Sequence, residues 1–164
     1  MKQKAEKGQL FTSDFIFALA VFGAALLMIN SYSYFVSLRV KEFEAEQNRE
    51  YVARRAAQTL MLSAGDPSDW YLVPDQNIKS LGIASEPNIL QRAKIESLAS
   101  KDYNLVKNIL GIQNYDFNLT IFSSSGRVLY SVGKTKSKDY AVTKINRIGL
   151  LDGSAVFITL EVFE

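Results

Sequence analysis

The sequence predicts an α+β fold: a long N-terminal transmembrane α-helix packed against a C-terminal antiparallel β-sheet head with short helices. Three observations carry that expectation. No charged residue occurs between Phe15 and Leu38. Neither Gly nor Pro occurs from Val40 to Leu62. From Tyr115 onward the hydrophobic period changes to two, that of a half-buried strand. Together they divide the 164 residues into a basic leader at 1–8, a hydrophobic helix at 9–38, an amphipathic continuation at 39–64 and a head at 65–164.

A membrane span takes about 20 predominantly apolar residues. Phe15–Leu38 is long enough, although its second half is weakly polar at Asn30, Ser31, Ser33 and Ser37. Tyr32, Tyr34 and Phe35 fall where an interfacial aromatic belt would lie. Lys2, Lys4 and Lys7 precede the segment, so the charge bias favours a cytoplasmic N-terminus and an exported C-terminal part. Three readings stand side by side: a leader removed ahead of the helix, a signal peptide removed near Ser31-Tyr32-Ser33, and a permanent single-pass anchor. Thr12, Ser13 and Asp14 are suited to capping the helix and complementing its dipole.

The helix is expected to continue past the membrane surface. Val52, Ala56 and Leu60 recur at i, i+4 and i+8 beside Ala53, Ala57 and Met61, which makes one apolar stripe. Glu42, Glu46, Arg49, Glu50 and Arg54 supply a wet face. Gly65-Asp66-Pro67 then stops the run. The expected product is one helix of about 50 residues, roughly 75 Å long at 1.5 Å per residue.

In the head, Asp66–Trp70 reads as a turn-rich junction leading into an irregular stretch. Ile89–Leu98 and Tyr103–Leu110 carry helical spacing, and Gly111 is placed as a helix stop. Phe117, Leu119 and Ile121 alternate with Asn118, Thr120 and Phe122 in a first strand, and Arg127–Val132 answers it across Ser123–Gly126. Tyr140–Ile148 and Ala155–Phe163 repeat the plan around Asp152-Gly153, a strong two-residue hairpin signal. Two consecutive hairpins predict a meander, with the stripe near Val52–Leu60 covering its buried face.

Composition narrows the chemistry. The chain carries a net charge of +2, with no Cys and no His. A near-neutral balance gives no electrostatic case for nucleic acid. The one dense basic run, Lys134, Lys136 and Lys138, reads as a solvated hairpin turn. Without Cys there are no disulfides or thiolates. Without His the usual general base near neutral pH is missing. No Gly-x-Ser-x-Gly, phosphate loop or dinucleotide fingerprint occurs. Asp66, Asp69 and Asp75 surround Trp70, but acids of this kind usually serve turns, and their spacing matches no calcium loop. No enzyme activity, cofactor, metal or small-molecule substrate is expected.

Lys7-Gly8-Gln9 stands ahead of Asp14 and an unbroken apolar helix. Gly65–Trp70, Lys79–Ile83, Tyr103–Gly111 and Arg147-Ile148 through Asp152-Gly153 to Val162 follow in order. In that sequence of segments the chain resembles archaeal type IV pilin-like proteins with a class III signal peptide. The resemblance spans nearly the whole chain and rests on the order of pieces that are individually unspecific. It implies that a prepilin-type peptidase cuts after Gly8, leaving Gln9 as the new N-terminus. It further implies that mature subunits leave the bilayer and pack their helices with those of other pilin-like subunits, heads outward. One departure stands out. Cleavage after Gly8 makes Asp14 the sixth mature residue, whereas the family's acid is generally the fifth; cleavage after Gln9 would restore the spacing.

A carboxylate in an apolar bundle needs a positive partner. A neighbouring subunit's exposed amino group would supply one for Asp14. Asn118-Leu119-Thr120 is in addition a candidate glycosylation acceptor on the polar face of its strand.

Overall fold

The structure is a computed structural model that describes residues 2–135 and 141–164, with side chains from Ser13 onward. It divides into two compact units, Met1–Ala45 and Glu46–Glu164. Helix α1 (Lys2–Leu62) makes up the first and contributes residues 46–62 to the second.

The first unit is helix alone. Its segment from Phe15 to Leu38 exposes every side chain, with Phe17, Val21, Leu27 and Met28 each at least 68% accessible. Among the described residues this is the one helix long and apolar enough to cross a membrane. Polar groups within it turn back onto the backbone: Asn30 Nδ2 donates to the Leu26 carbonyl at 3.0 Å and Ser37 Oγ to that of Ser33 at 2.8 Å. Local satisfaction of that kind makes weakly polar side chains tolerable in an apolar medium.

The helix begins earlier than Thr12–Asp14, which corrects the capping expectation. Lys, Gln, Ala and Glu dominate residues 2–7 and all favour helix, so the backbone is helical from Lys2 and these three residues lie inside it.

In the second unit the stripe expected from the sequence is buried. Ala53, Ala56, Ala57, Leu60 and Met61 are at most 2% accessible. They pack into one core with the inner face of a six-stranded sheet. Between helix and sheet, residues 63–91 form β1 (Gly65–Asp66), β2 (Ser80–Leu81), β3 (Ala84–Glu86) and β4 (Ile89–Leu90), with single turns of 3-10 helix at Trp70–Leu72 and Asp75–Asn77. The pair β1–β2 is a separate antiparallel ribbon. Trp70, wholly buried, donates its indole N–H to the Gly82 carbonyl at 2.8 Å.

Helices α2 (Arg92–Ser100) and α3 (Tyr103–Leu110) follow. Asp102 caps α3 by accepting from the Leu105 N–H at 2.9 Å, and Gly111 ends it with φ +72°, the left-handed conformation expected of a helix stop. The expected helix over Ile89–Leu98 starts three residues late, because Ile89 and Leu90 are taken by a strand.

The remaining strands are β5 (Asp116–Ser123), β6 (Val128–Gly133), β7 (Val142–Leu151) and β8 (Ser154–Phe163). Both hairpins form, and Asp152 and Gly153 take positive φ (52° and 78°) in the two-residue turn. The sheet is not a meander. Its order is β3-β4-β7-β8-β5-β6, with β8 paired antiparallel to β5 from Asp116↔Phe163 to Ser123↔Val156. A short parallel pairing, Ile89↔Leu150 and Leu90↔Leu151, adds β4 to the β7 edge, so the sheet is mixed.

The physical reason lies in the inward-facing residues. Phe117, Leu119 and Ile121 on β5 and Val156, Ile158, Leu160 and Val162 on β8 are all at most 2% accessible. Placing those two strands side by side puts the most apolar surface at the sheet's centre. Strand β6 buries only Val132 and takes the edge. Strands β6 and β7 are not neighbours in the sheet, and of the basic run between them Lys136 and Lys138 lie outside the described residues.

Candidate functional site

The N-terminal helix carries the residues singled out for processing and contact. Gly8 and Gln9 lie on its helical backbone, and the side chains of Gln9 and Thr12 are outside the described residues. Ser13 and Asp14 are exposed, and among the described residues neither forms a hydrogen bond or ion pair. Asp14 opens directly onto Phe15, Ile16 and Phe17, each at least 60% accessible. A carboxylate beside so much bare apolar surface is costly to bury: mid-bilayer insertion of Asp costs on the order of 2.5–3.5 kcal/mol. Any environment that covers this helix must therefore supply Asp14 with a cation, a proton or water.

Within the head the acids around Trp70 do not converge. Asp66 pairs with Lys79 at 3.7 Å, Asp75 pairs with Lys101, and the Asp69 carbonyl accepts the Leu72 N–H at 2.8 Å in the turn. Among the described residues no three His, Cys, Asp or Glu side chains are placed to hold a metal.

A tighter cluster sits where β5 begins. Asp116 Oδ1 accepts from Lys107 Nζ at 2.9 Å and from Tyr103 Oη at 3.0 Å, while Oδ2 accepts from Lys134 Nζ at 3.0 Å. Desolvation pushes the carboxyl upward, but the hydrogen bonds from Lys107, Lys134 and Tyr103 outweigh it and hold it down at about 2. Burial, aided by the Asp116 carboxylate, pushes the Tyr103 phenol up to about 12. The ring stacks on Phe117 at 5.2 Å, and its oxygen accepts the Phe117 N–H at 3.1 Å. Through these contacts the cluster clamps α3 to the start of β5. The i, i+4 spacing of Tyr103 and Lys107 places both on one helix face, the only trace of this cluster in the sequence.

Two buried cations were likewise not legible beforehand. Arg49, 7% accessible, donates to Thr143 Oγ1 at 3.1 Å and pairs with Glu164 at 3.5 Å, tying α1 to both outer ends of the second hairpin. Lys94, 2% accessible, donates to the Ala64 carbonyl at 2.8 Å and the Ala84 carbonyl at 3.0 Å. Desolvation lowers its pKa, opposed by the more distant Asp69.

The outer face of the sheet is graded. At the hairpin-turn end, Ile148, Phe157, Phe122 and Val128 align across β7, β8, β5 and β6 as an apolar row. Ile148, Phe157 and Val128 are between 46% and 64% accessible. The next row is polar: Asn146, Thr159, Thr120 and Ser131, with Thr159 donating to Asn146 Oδ1 at 2.9 Å. Asn118 and Glu161 follow in a third row, where Lys144 pairs with Glu161 at 2.6 Å. Compared with known family models, curated proteins and solved structures, the chain matches none of them.

Proposed function

We propose that the chain is a type IV pilin-like subunit, major or minor, of an archaeal surface filament, held in the membrane by α1 before assembly. One observation carries the reading: a single helix serves two surroundings. Its side chains are mostly apolar and exposed from Phe15 to Leu38, whereas farther along Ala53, Ala56, Ala57, Leu60 and Met61 are buried beneath a sheet. Open apolar surface on that scale is unstable in water and is stable in lipid or against other helices. The Lys-rich leader sets the N-terminus in the cytoplasm and the head outside.

In this reading a prepilin-type peptidase removes the leader at Gly8 or Gln9, and the helices of successive subunits exchange lipid for one another. Asp14 then meets the new amino group of a neighbour, the cation its apolar surroundings require. The role is structural, with the membrane, the peptidase and other pilin-like subunits as partners. The mass of the mature N-terminus, measured together with fractionation of membranes and sheared surface fibres, tests it. A chain beginning at Gln9 or Leu10 and present in fibres is the expected result. An intact Met1 with the chain confined to membranes refutes it and leaves a single-pass anchored surface protein that does not polymerise.

A further inference from the structure

Asn118 is the third residue of β5, paired to both sides, and the alternation that buries Phe117 and Leu119 turns the half-buried Asn118 and Thr120 toward the outer face. Thr120 Oγ1 donates to Asn118 Oδ1 at 3.1 Å, and Ser131 Oγ reaches the same oxygen at 3.4 Å. The carbonyl end of the amide is thus held by its neighbours. Its nitrogen has no partner among the described residues. Its pair on β6 is Gly133, a glycine required there because a Cβ would lie 2.2 Å from the Phe117 carbonyl oxygen and 3.1 Å from Asn118 Cα. Its pair on β8 is Glu161, drawn by Lys144 toward β7.

We propose that Asn118 is an N-glycosylation site whose glycan stands off the outer face of the sheet. The acceptor triplet Asn118-Leu119-Thr120, its placement on the outer face of the sheet and the nitrogen left without a partner among the described residues agree. The donor is a lipid-linked phosphate or pyrophosphate sugar. The Nδ2–C1 bond forms as the C1–O bond to phosphate breaks, the lipid phosphate leaves with the electron pair, and Nδ2 gives up one proton. Since β5 is hydrogen-bonded on both edges, transfer takes place on the extended chain before the sheet closes. The glycan then shields the polar rows and leaves the row of Ile148, Phe157, Phe122 and Val128 bare. This inference rests on the exported head of the proposed function.

Glycopeptide mass spectrometry of the full chain from its native cells tests the site, alongside labelling of intact cells with a membrane-impermeant amine reagent. The peptide containing Asn118 is expected to carry a sugar mass increment in the native chain and in Thr120→Ser. The increment is expected to vanish in Asn118→Gln and in Thr120→Ala. An unmodified native peptide in a head that labels from outside overturns the site and spares the export reading. A head that does not label overturns both.

Discussion

Replacing Asp116 with Asn preserves the shape of the side chain and removes the charge that three donors share. The folded-state pKa of Asp116, about 2, lies below its ordinary 3.8. A depressed carboxylate contributes stability that is fully present above the unfolded value and is lost as pH falls through the folded one. From 3.8 to about 2, at ~1.4 kcal/mol for each pH unit, the contribution is about 2 kcal/mol at neutral pH. The carboxylate is 26% exposed, so screening trims this figure without removing it. The Asn variant also leaves Lys107, itself only 14% exposed, without its counter-charge. The expected loss for D116N is therefore about 2–3 kcal/mol at neutral pH. Urea unfolding of the full chain in detergent, followed by the fluorescence of its single tryptophan, Trp70, reads this directly. The native chain should lose stability between about pH 4 and pH 2 while the variant does not. Equal stability of the two proteins at neutral pH, or an unchanged acid limb in D116N, would refute the clamp.

Tyr103→Phe removes a donor to Asp116 and the acceptor of the Phe117 N–H, at an expected cost of about 1–3 kcal/mol. Because the phenol is raised to about 12, its contribution is present below pH 10 and lost as pH rises toward 12; that alkaline limb should disappear in the variant, as read by pH-dependent urea unfolding. Gly82→Ala places a Cβ against the Ser63 carbonyl and beside the Gly65 backbone nitrogen, and should cost at least about 2 kcal/mol with a red-shifted Trp70 emission. Asp14→Leu should leave the chain in membranes but lower its share in sheared fibres by about tenfold or more; unchanged incorporation would sink the inter-subunit role of that carboxylate.

What the sequence disclosed depended on whether the signal was local. Gly111, the Asp152-Gly153 turn and the stripe from Val52 to Met61 are fixed by spacing or by backbone conformation at single residues, and all took the expected form. The alternation along Phe117–Ile121 gave the buried face correctly. Strand order was beyond such signals, since a hairpin pattern states only which strands are joined. The placement of β8 between β7 and β5 follows from comparing buried area across strands far apart in the chain. Two-residue strands such as β4 are too short for periodicity to register. In the sequence Arg49 reads as part of the wet face of α1, and Lys94 carries no signal, because the partners that bury them are distant in the chain: Thr143 and Glu164 for Arg49, the Ala64 and Ala84 carbonyls for Lys94. At Thr12–Asp14 the cap chemistry was present, but good helix formers upstream overrode it.

The place of β8 has a bearing on how the head is made. Among the described strands β8 comes after the other seven and has two long neighbours, β7 on one edge and β5 on the other. Before Ser154–Phe163 is available, the β5–β6 hairpin and β7 have no partner in common, and the groove over Ala56 and Leu60 stays open to water. Sheet formation is thus a late and concerted event with a high contact order, slow beside the local winding of α1.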